Sequence, residues 1–190
     1  DYGYTGCNFT SKFDIKQLMI KNKTGEKMKH IVWFIMGMLL FGADTPKGKQ
    51  AEILQGIEIG IESITVNEDR SLDVAVYMYN TIPVAGFQAN LLPKEMFELD
   101  GVTGGIGEEK GFMMSGGKST FLGFSIKGEM LPASESAYLK NNILCHLNVN
   151  VIGKLELPME VSLDPILAGK RGVKLEAQTK PFIWEKLSRD

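Results

Sequence analysis

Few residues of this chain have the chemistry of a catalytic or metal site, and they are scattered. Its 190 residues include two histidines and two cysteines. His146 lies in Ile143-Leu144-Cys145-His146-Leu147, an alternating pattern. A triad needs a base oriented by a third group, and two histidines leave little choice of base. His146 is therefore read as a pairing or surface residue. Zinc needs clustered His and Cys ligands, which the sequence lacks. Asn67-Glu68-Asp69, with Asp73 nearby, offers oxygens to a calcium ion. The EF-hand spacing and its closing glutamate do not follow, so the stretch is read as a solvated turn. Glu108 and Glu109 are adjacent and diverge on a helix, which argues against an acid/base pair. Gly101 to Gly107 (GVTGGIG) and Ser115-Gly116-Gly117 are glycine-rich. Neither opens a helix after a parallel strand or carries the Lys-Ser/Thr of a phosphate loop, so both are read as loops. No enzymatic activity, metal or cofactor is expected of the chain itself.

Binding chemistry is easier to find. Tyr77 and Tyr79 are two residues apart in an alternating stretch and so point to the same side of their strand. Two rings in a row on an open face suit a carbohydrate platform or a protein contact. The competing reading has them covering the rim of the core.

The elements that must position these residues read as strands. Ile53, Ile57, Ile59, Ile61, Ile64 and Val66 form a β-branched run, with Gly56 and Gly60 marking bulges or bends. Asn67 to Arg70 is a turn cluster. Leu72, Val74, Val76 and Met78 alternate with Asp73, Ala75, Tyr77 and Tyr79, a half-buried strand. Further strands are expected over Val84 to Leu92, Thr120 to Lys127, Ile143 to Ile152, Leu155 to Leu163 and Val173 to Ala177. One helical turn fits Gly107 to Gly111. Many short strands between Gly- and Pro-rich turns indicate an all-β sandwich or barrel. The tail Pro181 to Asp190 departs from the pattern: Trp184 packs back on the sandwich, or the tail starts a linker.

The N-terminal quarter reads differently. Ile31 to Ala43 (IVWFIMGMLLFGA) follows Met28-Lys29-His30. A basic start, an apolar run of roughly 7–15 residues and a small residue at its end make a secretory signal. The run is shorter than the roughly 20 apolar residues that span a bilayer. Residues 28–43 are thus expected to be a signal peptide or a short membrane anchor. Residues 1–27 read as a non-native or cytoplasmic leader and 44–50 as a linker. A sandwich at 51–180 and a tail at 181–190 follow. The expected location is secreted or at the cell envelope. Cys7 lies in the leader, so Cys145 has no partner for an internal disulfide and is read as a buried small hydrophobe. An exported chain without disulfides suits a bacterial envelope better than a eukaryotic ectodomain. A net charge of -2 provides no field to attract nucleic acid or acidic lipid.

The middle of the chain resembles the cohesin-like β-sandwich domains of bacterial extracellular proteins. The resemblance rests on Leu72-Asp73-Val74, Pro83-Val84-Ala85-Gly86-Phe87-Gln88, Gly111-Phe112 and Leu122-Gly123-Phe124-Ser125. It extends to the loop Gly128-Glu129-Met130-Leu131-Pro132-Ala133 and to Asn90 through Leu99, where Leu92 stands in place of the family's Asp before Pro93. It implies a jelly-roll sandwich of about nine strands that binds another extracellular protein. That partner would be a dockerin-bearing protein, with calcium entering only through the dockerin. A carbohydrate-binding module, contacting polysaccharide through Tyr77 and Tyr79, is the alternative. Apart from the family, Gly86 before Phe87, Gly111 before Phe112 and Gly123 before Phe124 each set a bare backbone beside a ring. The expectation is an aromatic core between two sheets, each ring burying about 150–250 Å².

Overall fold

The structure is a computed structural model that describes residues 48–187 apart from Leu54. The expected leader, the signal or anchor at 28–43 and most of the linker lie outside the described residues. The chain forms β1 (Ile57–Val66), β2 (Leu72–Asn80), β3 (Gly86–Leu92), β4 (Phe97–Thr103), a short helix α1 (Gly105–Glu109), β5 (Met113–Gly117) and β6 (Thr120–Phe124). It continues through β7 (Ile143–Val151), β8 (Met159–Ala168), β9 (Lys174–Leu175), β10 (Gln178–Lys180) and β11 (Phe182–Trp184).

These strands make the two layers of a β-sandwich. One sheet has the order β10-β1-β2-β7-β4 and the other β11-β8-β3-β6-β5, with β9 added to β8. The β2–β7, β3–β8 and β3–β6 pairs are antiparallel and far apart in sequence, the winding of a jelly roll. The β1–β10 pair is parallel. The alternation of the sequence sets which side is buried. Leu72, Val74, Val76 and Met78 of β2 face Phe87, Ala89 and Leu91 of β3 across the core. Each fully buried aliphatic or aromatic side chain contributes about 1.5–3 kcal/mol.

The aromatic core differs from the expected one at one ring. Phe87 and Phe112 are buried with ring centroids 6.1 Å apart, and Phe121 packs on Phe87 at 6.3 Å. Phe124 is 47% exposed. The period of two explains this: Phe121 and Gly123 point inward, so Phe124 must point out. The glycine that accommodates a ring is the cross-strand partner and not the preceding residue. Gly123 lies opposite Phe87 in the β3–β6 register, and a Cβ there would fall within the Phe87 ring. Gly86 has no ring beside it, and Gly111 (φ +69°) serves a turn with open space around it. Gly123→Ala is therefore expected to destabilise the domain by about 1–3 kcal/mol through overpacking. A Phe87→Leu background should recover much of that loss. Urea unfolding of the four-member cycle measures both, and equal costs in the two backgrounds would contradict the contact.

Among the described residues eleven strands form, against an expected total of about nine. Segment 97–103 pairs with β7: its first residues, to Leu99, enter the sequence reading only through the family resemblance, and Gly101–Thr103, read as the start of a glycine-rich loop, are strand. Ser115-Gly116-Gly117, read as a turn, belongs to β5 and pairs with β6. The helical turn begins at Gly105, two residues early. The sandwich does not end at residue 180. Pro181 carries the chain from β10 in one sheet to β11 in the other, where Phe182–Trp184 pairs with Met159–Val161. Trp184 is buried in the core and not in a linker. At the other boundary, Gln50 bridges to Tyr138 and the Ala51 N–H donates to the Ala137 carbonyl, so the end of the expected linker is already part of the domain.

Candidate functional site

Tyr77 is not on an open face. It is 2% exposed, and its hydroxyl donates to Glu58 Oε1 at 2.8 Å. Its cross-strand partner is Gly60, where a Cβ would stand about 2.9 Å from the Tyr77 hydroxyl; a side chain there would displace the ring. Glu58 is itself buried and accepts the Glu52 N–H at Oε2. Lys49, Gln50, Lys180 and Phe182 line the outside of this cluster, and Lys180 pairs with Glu52. Burial, and then the Glu58 carboxyl, push the Tyr77 phenol well above its ordinary range. Tyr79 is half-buried. A two-ring platform is absent because strap residues near 50 and 180 cover that part of the sheet.

The other sequence candidates do not come together, and most are locally satisfied. Ser71 donates to Asp69 Oδ1 from both its N–H (2.9 Å) and its hydroxyl (2.7 Å), and holds that carboxyl below its usual range. Asp73 does not join this turn: its carboxylate lies 3.0 Å from His146 Nδ1 on the face of the first sheet. Cys145 is fully buried, and burial pushes its thiol up, away from nucleophilic use. Glu108 turns back on its own helix, accepting the Gly104 N–H. Among the described residues no three His, Cys, Asp or Glu side chains group to hold a metal ion.

Among the described residues, an open surface with apolar side chains is the outer face of β8-β3-β6-β5. Phe124 and Met113 are direct cross-strand partners, 47% and 54% exposed. Leu122 stands between Ser115 and Gln88 in the next row, and Gln88 pairs with Ile166, which is 56% exposed. A third row holds Asn90, whose Nδ2 donates to Asp164 and whose Oδ1 accepts the Thr120 hydroxyl. Thus Leu122 and Ile166 flank Gln88 in its row, Phe124 and Met113 lie in the row on one side, and the hydrogen-bonded polar row lies on the other. Of these residues, sequence reading gives only Phe124 a packing role, in the core, while Gln88, Asn90 and Leu122 enter through the family motifs alone. The missed signal was strand parity: the outward positions 113, 122, 124 and 166 carry Met, Leu, Phe and Ile.

A second feature lies at one end of the sandwich. A cavity of about 380 Å³ opens between α1 and the loop 131–136. Two buried asparagines hold this loop. Asn80 Nδ2 donates to the Ile82 and Pro132 carbonyls, each at 2.8 Å, and Asn142 Nδ2 donates to Ser136 O (2.7 Å) and Tyr138 O (2.8 Å).

No family model and no curated protein matches the chain. Among solved structures, it is similar to a chain of a dockerin–cohesin complex, CaDoc0917 with CaCohA2, at 11% identity and a TM-score of 0.43. That match covers 67% of this chain and 98% of the other. It is also similar to the cohesin module of a Clostridium perfringens family 33 glycoside hydrolase, at 14% identity and a TM-score of 0.45, covering 72% and 99%.

Proposed function

We propose that this is a non-catalytic, exported protein-binding module that presents the open face of β8-β3-β6-β5 to a partner, in adhesion or extracellular assembly. One observation carries the reading: three large apolar side chains, Met113, Phe124 and Ile166, are each about half exposed on one sheet face. Protein contact surfaces have an apolar or aromatic centre with polar groups at the margin, and Asn90, Asp164 and Thr120 supply that margin here. The cohesin-like motifs support a dockerin-bearing partner, and the apolar run at residues 31–43 supports export to the envelope or beyond. The polysaccharide alternative through Tyr77 and Tyr79 has lost its platform, since Tyr77 is buried.

Capture tests this. The immobilised chain is exposed to the secreted proteins of its source, first with calcium and then with a chelator. Calcium-dependent retention of one protein is the expected result and points to a dockerin. Retention that ignores the chelator supports an adhesin-like contact. If nothing is retained under either condition, the protein-binding reading fails.

A further inference from the structure

We infer that the cavity at the end of the sandwich is a binding site for one hexose-sized sugar unit. This does not rest on the protein-binding reading, and it uses none of the residues of the open sheet face.

Three observations carry it. The first is size: about 380 Å³ falls within the roughly 300–1,000 Å³ of small-molecule sites. The second is the lining. Met78, Leu131 and Leu144 are buried and form an apolar floor, with half-buried Ile106 at its side. Around it stand Glu109, Lys110, Glu135 and Asn141, all exposed. A pyranose has the matching character, with C–H groups for an apolar floor and a ring of hydroxyls that donate to carboxylates and accept from ammonium and amide groups. Hydrogen bonds to charged partners are the stronger kind.

The third is which groups are already engaged. The walls are fixed. Beyond the two asparagine amides, the Ser134 N–H donates to Asn80 O at 2.7 Å, the Ser134 hydroxyl lies 3.2 Å from Asn80 Oδ1, and Asn141 Nδ2 donates to Ser136 Oγ at 3.2 Å. By contrast, the side chains of Glu109, Lys110 and Glu135 have no hydrogen-bond or ion-pair partner among the described residues. Fixed walls reduce the ordering cost of binding, and unengaged charged groups at the rim leave hydrogen-bonding capacity for a ligand.

The test is an amide NMR titration of the full chain with glucose, galactose, mannose, N-acetylglucosamine and N-acetylgalactosamine, alongside a trilysine peptide. The expected result is saturable shifts from at least one sugar, at a Kd on the order of 1 mM. The shifts should centre on the Asn141 and Asn142 side-chain amides and on residues 105–110 and 131–136. E109Q and E135Q, both at exposed positions, should each weaken that sugar roughly tenfold. The inference is overturned if no sugar shifts these amides, if the shifts map to Gln88, Leu122 and Phe124 instead, or if both variants bind as the unaltered chain does. Saturation by the peptide alone would also overturn it, assigning the cavity to a cationic segment. Loss of protein capture leaves this experiment unaffected, so the two readings fail separately.

Discussion

Tyr77→Ala is expected to lower folding stability by about 3–5 kcal/mol, the range for truncating a large buried aromatic side chain. The ring lies over Gly60, so truncation leaves a cavity that the strand cannot close. It also takes the hydroxyl away from buried Glu58, and stripping a partner from a buried polar group adds its desolvation cost. Tyr77→Phe keeps the packing and isolates the second effect, at about 1–3 kcal/mol. The alkaline limb of the stability curve gives an independent readout. In the unfolded chain the phenol ionises near its ordinary 10, and in the folded domain it ionises higher, because burial and Glu58 oppose the charge. Folding therefore holds this proton. The resulting stability is complete below about pH 10 and is lost as pH rises beyond it. Tyr77→Phe should flatten that loss. Urea unfolding at pH 7 and at pH 11 measures both effects, and a Tyr77→Ala variant as stable as the parent would contradict the buried cluster.

Phe124→Asp should behave in the opposite way. The ring is half exposed, on the outside of β6, so removing it changes stability by no more than about 1 kcal/mol, within the span of strand propensities. Partner binding should weaken by about 2 kcal/mol or more, roughly thirtyfold, as for an aromatic anchor at the centre of an interface. Introducing a carboxylate beside Met113 adds the cost of desolvating a charge against an apolar partner. Isothermal titration with the captured partner reads the affinity, and circular dichroism reads the fold.

The two variants show where the sequence was legible. The alternation in β2 and β7 is long and regular, and it predicted both strands within about a residue. Side-chain parity alone, however, did not say which outward face is open. Tyr77 points away from the inner core as its parity requires, yet it is covered by residues near 50 and 180, more than 25 positions away in either direction. No local pattern reports such a long-range cover. Phe124 failed for the reverse reason. The shared Gly-Phe pair groups it with Phe87 and Phe112, while its parity with Phe121 places it outside. β5 was lost because Ser115-Gly116-Gly117 has turn composition. A Cβ at Gly116 would crowd Val102 and Leu99 of β4, so that glycine serves close approach between strands and not a turn. The end cavity is invisible in sequence because its lining comes from α1, β2, the loop 131–136 and the start of β7 with the residues before it.

The most direct test of the central claim compares capture by the unaltered chain with capture by a Phe124→Asp, Ile166→Lys variant, both confirmed as folded by their unfolding midpoints. The variant is expected to lose the protein retained by the parent while keeping its stability. Equal retention by the two chains would show that the partner does not use the β8-β3-β6-β5 face, and the account would be wrong.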